Sequence, residues 1–86
     1  MVRVFTDFQA IDSYGSFYIL KVDHEDLERQ AKTLGIKVGD KVVLDAYEDF
    51  ELIGILDFRF VDILGKEAWV AHPDWSTRKD KQALSK

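Results

Sequence analysis

The sequence predicts a mainly β, α+β domain with one helix: a small, partly open antiparallel β-barrel or strongly bent sheet with elements in the order β-β-α-β-β-β. Three observations predict it. Residues 34–72, LGIKVGDKVVLDAYEDFELIGILDFRFVDILGKEAWVAH, hold the densest two-residue alternation in the chain, which is the period of half-buried strands. Only residues 23–34 carry helix start and stop signals around a helical apolar stripe. Gly54 and Gly65 fall where a long strand must bend and where a hairpin must turn.

The elements follow in order. Val2, Val4, Thr6 and Phe8 alternate with Arg3, Phe5 and Asp7 and predict a first strand, with Phe5 left over for a second small core. Residues 9–15 read as a loop through Asp12, Ser13 and Gly15. Residues 16–22 form a second strand with Phe17 and Ile19 on one face and Tyr18, Leu20 and Val22 on the other, as suits a central or wrapped strand. Residues 23–34 form the helix: Asp23 as N-cap, Asp26 in the capping-box position, Glu25–Arg29 and Glu28–Lys32 as i,i+4 pairs, and Leu27, Ala31 and Leu34 facing a sheet. Gly35 stops it.

Ile36-Lys37-Val38-Gly39-Asp40 is a turn into a strand over 41–47, with Val42, Leu44 and Ala46 on its core face. This lead-in resembles that of small SH3-like β-barrels over about half the chain. The resemblance implies an architecture and no function, because such barrels serve many unrelated roles. Phe50, Leu52, Leu56, Phe58 and Phe60 share one phase of the next strand, and Gly54 marks the bend where it curls between sheets. Gly65-Lys66 turns 61–64 into 68–71 and completes a three-stranded meander. Pro73, which cannot donate to a ladder, is expected to end the last strand. The domain is then residues 1–75, and 76–86 a mobile basic tail.

The 86 residues suit one domain, and 47% hydrophobic with 13% aromatic residues suits a folded core. With no cysteine, disulfides and thiolate metal sites are excluded. Apolar runs fall far short of the roughly 18 residues that span a bilayer, and Arg3, Asp7 and Asp12 interrupt any secretory pattern. The expectation is a cytoplasmic protein with no membrane contact and no cofactor. Residues 1–71 carry a net charge of −6 and residues 72–86 a net of +2, so nucleic acid is disfavoured for the body and a basic protein partner favoured.

Asp45, Tyr47, Glu48, Asp49, Phe50 and Glu51 gather carboxylates and aromatics about one turn, the composition of a docking patch for a basic surface. Their spacing matches no calcium loop, so no metal site is expected. Trp69 and Trp75 are further partner-binding candidates, Trp75 either plugging the barrel end or standing out for recognition. His24 and His72 have no nucleophile motif beside them, and no catalytic residue is expected. Val43, Ile53 and Ile55 remain for a homodimer surface or for cover by the helix and first strand. The expected function is a non-catalytic protein–protein interaction module that docks a basic partner, in its sharper form an inhibitor, immunity protein or nucleic-acid mimic. The alternative is a nucleic-acid-binding barrel in which Tyr14, Phe17 and Tyr18 stack bases and the tail supplies cations.

Overall fold

The computed structural model describes residues 1–47 and 49–81. Strands β1 (Arg3–Thr6), β2 (Leu20–Val22) and β3 (Glu25–Asp26) precede helix α1 (Leu27–Leu34), followed by β4 (Lys41–Asp45), β5 (Phe50–Val61) and β6 (Lys66–Asp80). They form one six-stranded sheet in the order β3-β2-β1-β4-β5-β6. Every neighbouring pair is antiparallel except β1 and β4, which run parallel. A parallel neighbour requires a long crossover, and β2, β3 and α1 make it. The sheet is therefore mixed rather than antiparallel throughout.

The α+β class holds, but the SH3-like barrel is not confirmed because the sheet stays open. Closure stops at one isolated bridge, where Phe17 and Ala71 exchange two 2.9 Å backbone hydrogen bonds. Above that bridge a cleft of about 180 Å³ separates the start of β6 from β2 and α1, lined by Leu20, Leu27, Leu64 and Trp69 among others.

Val42, Leu44 and Ala46 are buried, as the alternation requires, together with Val4, Phe17, Phe50, Leu52 and Leu56. Phe58 and Phe60 leave the core although they share that phase, since the β5–β6 hairpin runs past the rest of the sheet. There the opposite face packs instead, with Val61, Ala68 and Val70 against Tyr18. Gly54 answers to close approach rather than to a bend: a Cβ would lie 2.8 Å from Leu44 Cγ and 3.4 Å from Ala71 Cβ. The ladder irregularity falls between Glu51 and Ile53.

Asp23 does not cap the helix. Asp23 and His24 sit at φ 51° and 71° and turn β2 into β3, a two-residue left-handed hairpin loop that Asp and His accept more readily than most residues. Glu25 is therefore in β3, and Gln30 Nε2 donates to its carboxylate at 3.2 Å. Asp26 takes the N-cap position without a side-chain cap bond. Gly35 closes the helix as expected, in left-handed geometry, with Gly35 N–H donating to Lys32 and Ile36 N–H to Ala31.

Pro73 does not end β6. It pairs with Gly54, and the strand continues to Asp80. β6 is the last strand of the sheet, and an edge is where proline's missing donor is tolerated. Residues 76–80, expected in the tail, are strand; 82–86 lie outside the described residues.

Candidate docking surface

The end of β6 places an aromatic cluster by means of a bulge. Ile53 pairs with Asp74 and Glu51 with Lys79, so residues 75–78 swing out opposite Leu52 alone. Local side chains replace the lost ladder bonds. Ile53 N–H donates to Thr77 Oγ1 at 2.8 Å, and Thr77 Oγ1 donates to the Asp74 carbonyl at 2.7 Å. Bulges re-aim side chains, and this one lays Trp75 over Phe17 and Phe50, with ring centres 6.1 and 5.7 Å away. Trp75 remains 46% exposed; it meets both rings at a tilt, and the Arg78 guanidinium lies 5.9 Å from the Trp75 ring centre. Arg78 sits 4.4 Å above the Phe50 ring, and Phe8 meets Phe50 edge-on at 6.1 Å.

The β4–β5 turn supplies a second aromatic step. Tyr47 adopts φ 59°, its N–H donates to Asp45 Oδ1 at 2.8 Å, and its ring stacks on Phe5 at 5.5 Å. Asp45 is buried and accepts from Arg3 Nη1 at 2.7 Å and Lys81 Nζ at 2.6 Å. Burial pushes its carboxyl up, but the Lys81 and Arg3 hydrogen bonds and the Tyr47 N–H outweigh that and hold it below its ordinary value. Asp45 is thus committed inside the fold, where it ties β1, the turn and the chain after β6 together.

The remaining candidates divide by position. Tyr47 and Asp49 are exposed, Phe50 is buried as the floor under Trp75, and half-buried Glu51 lies 3.5 Å from Arg3. Glu48 lies outside the described residues. Trp69 belongs to another place, packed edge-on against Phe58 at 5.5 Å and lining the cleft beside α1. Asp7 and Phe8, which the sequence reading left in the first strand, join the surface instead. They line one open recess of about 440 Å³ with Thr6, Ala46, Tyr47 and Asp49. On the far side of the Phe5–Tyr47 stack, Asp23, His24 and Lys21 line another recess, of about 190 Å³. Among the described residues neither Asp7 nor Asp49 carries an ion pair.

No known protein family, curated protein or solved structure matches this chain. Its own geometry therefore carries the functional reading.

A polar relay lies apart from the acidic surface. Ser16 Oγ is 2.6 Å from His72 Nδ1, and His72 Nε2 is 3.0 Å from Asp57 Oδ2. A carboxylate only accepts, so Nε2 carries a proton, and in the neutral ring Nδ1 accepts from the serine hydroxyl. His72 and the Phe58 N–H hold the Asp57 carboxyl below its ordinary value. Arg59 pairs with buried Asp12, whose Oδ1 accepts from Tyr14 and Ser16 N–H, and stacks over Tyr14 at 4.6 Å. These are the residue types that activate a serine nucleophile, but Ser16 is fully buried and its hydroxyl ties the residue 12–16 loop to β6. The observed hairpin register, and not the two-residue Gly65-Lys66 turn expected from the sequence, brings Asp57 to His72. Pairing Val61 with Lys66 puts Asp57 opposite Val70 and Ile55 opposite His72, which makes the two polar residues diagonal neighbours. Ser16, 56 positions from His72, had no signal in the sequence either.

Among the described residues no group of three or more His, Asp or Glu side chains is placed to hold a metal ion, and no helix is long and apolar enough to cross a membrane.

Proposed function

We propose that this protein is a non-catalytic protein–protein interaction module that docks a basic partner through the surface running from Tyr47 through Phe8 to Trp75. One observation carries the reading. Three aromatic side chains, 52%, 40% and 46% exposed respectively, lie along the rim of a recess and the adjoining Phe50 cluster, with the unpaired carboxylates of Asp7 and Asp49 beside them. Aromatic anchors rimmed by charge of one sign suit an interface whose partner carries the opposite sign. Asp23 adds a carboxylate on the other side of the Phe5–Tyr47 stack, which fits the sharper form of the proposal, an inhibitor or immunity protein that covers a basic active site by imitating nucleic-acid charge.

The nucleic-acid alternative has less behind it. Phe17 is buried, Tyr18 packs on the second core, and Tyr14 is capped by Arg59, so these three offer no common stacking platform. Arg78 is held over Phe50 and against Asp80, and Lys81 against Asp45, leaving Lys79 as the described basic residue of the β6 end without such a contact.

The test is affinity capture from source-cell lysate on immobilised wild type and on the Asp7→Lys/Asp49→Lys variant, with and without nuclease, eluted by a salt gradient. A discrete protein retained by wild type, lost on the variant, released by moderate salt and indifferent to nuclease is the expected result. Retention that disappears with nuclease, or that is equal on both surfaces, overturns the proposal.

A further inference from the structure

The recess lined by Thr6, Asp7, Phe8, Ala46, Tyr47 and Asp49 is specific enough in its chemistry to name what enters it. We propose that it seats an arginine side chain of the partner, an assignment that rests on the docking reading above. Four features of the site argue for a guanidinium.

Two carboxylates share the recess and are exposed. Asp7 Oδ1 accepts from Gln9 N–H at 2.9 Å, which fixes that side chain and leaves its second oxygen free for a donor. A forked donor with several N–H groups can serve two acceptors at once, where an ammonium offers a single point of charge.

Phe8 and Tyr47 supply aromatic surface in the same recess, and a guanidinium stacks on such faces while its edges make hydrogen bonds. This chain already uses that pairing within its own fold. Arg59 lies over Tyr14 at 4.6 Å and Arg78 over Phe50 at 4.4 Å, whereas among the described residues no lysine lies over a ring.

Thr6 lines the recess, and its Oγ1 is buried with no hydrogen-bond partner among the described residues. A buried hydroxyl without a partner is unusual; with its oxygen closed to solvent, it gains a donor only when the recess wall shifts to admit the incoming N–H. A hard divalent cation is a poor fit, since it calls for six or more oxygen ligands and this recess offers two carboxylates among its six lining residues.

The chain's own cations do not fill it. Arg3 and Lys81 are committed to Asp45, and Lys21, which lines an adjoining recess together with Thr6, Asp7 and Tyr47, makes no ion pair with either carboxylate among the described residues. The seat is thus complementary to a charge that must come from outside.

The test is a titration of isotope-labelled protein, followed through its backbone amide resonances, with Nα-acetyl-arginine amide, its lysine counterpart and the neutral citrulline counterpart. Saturable shifts confined to Thr6, Asp7, Phe8, Tyr47 and Asp49 are expected with arginine, and affinity about tenfold weaker with citrulline or in the Asp7→Asn/Asp49→Asn variant. The variant's dispersed amide spectrum verifies that it is folded. Shifts that centre elsewhere, or citrulline or lysine binding as well as arginine, overturn the assignment. If arginine fails to enter while Asp7→Lys/Asp49→Lys still releases the captured partner, the seat is wrong and the docking surface stands. Failure of both experiments overturns both.

Discussion

Replacing Asp45 by asparagine separates the charge of that side chain from its shape. The asparagine oxygen still accepts the Tyr47 N–H, but it no longer neutralises Arg3 and Lys81, which converge on the carboxylate at 2.7 and 2.6 Å. Hydrogen bonds to charged groups are worth about 1.5–3 kcal/mol each. The Arg3 and Lys81 side chains are 46% and 31% exposed and recover water when released, which brings each pair down to about 0.5–1 kcal/mol. The expected loss in urea denaturation at neutral pH is therefore about 1–2 kcal/mol, with an unchanged slope. The pH dependence has a definite sign. Asp45 is lowered from 3.8 in the folded protein, so its contribution is fully present above that value and is lost as the pH falls through the folded one. Wild type and variant should differ fully at pH 7 and converge in acid below 3.8. Asp12 and Asp57, also lowered, are common to both proteins and drop out of the comparison. A loss under about 0.5 kcal/mol at pH 7, within the range of an ordinary surface change, refutes the reasoning. So does a difference that persists unchanged in acid.

Further substitutions probe the rest of the framework. Gly54→Ala drives a methyl group into Leu44 and should cost about 1–3 kcal/mol by thermal melting, partly recovered by a second change, Leu44→Val; an unchanged melting temperature would mean the close approach is slack. Trp75→Ala uncovers Phe17 and Phe50 and, with the ring about half exposed, should cost about 1–3 kcal/mol rather than the 3–5 of a fully buried aromatic, read by denaturation followed through the remaining Trp69. Ser16→Ala leaves His72 Nδ1 without its donor and should cost about 0.5–1.5 kcal/mol. The same variant should match wild type in hydrolysing p-nitrophenyl acetate; wild-type turnover that disappears in Ser16→Ala would show the relay to be catalytic.

What was legible in the sequence was what local chemistry decides. The period-two burial of Val42, Leu44 and Ala46, the left-handed stop at Gly35 and the left-handed position at Gly65 each depend on a few consecutive residues, and they appear where the pattern put them. The β5–β6 turn itself spans residues 62–65 rather than Gly65-Lys66, so Asp62, Ile63 and Leu64 leave the strand and Lys66 enters it. The parallel pairing of β1 with β4 was not legible, because it depends on where a 34-residue connection returns the chain. Asp23 suits a helix cap and a left-handed hairpin turn equally well by composition, and the pairing of β2 with β3 decides between them. Pro73 reads as a strand end only if both edges of the strand need donors, and β6 has a free edge. The same limit governs the site. Tyr47 and Asp49 stand out on the surface as the turn composition suggests, whereas Asp45 turns inward because Arg3 and Lys81 reach it from distant parts of the chain. Asp7 and Phe8 join the surface only because the β4–β5 turn, some forty positions later, folds against the end of β1.

The docking surface is tested most directly by the association rate constant with the captured partner, measured across a range of ionic strength for wild type and for Asp7→Lys/Asp49→Lys. Steering by these carboxylates predicts a wild-type rate that falls steeply with salt, and a variant that associates at least about tenfold more slowly at low salt with a flattened or reversed dependence. Equal rates and equal salt slopes for the two proteins would contradict the account.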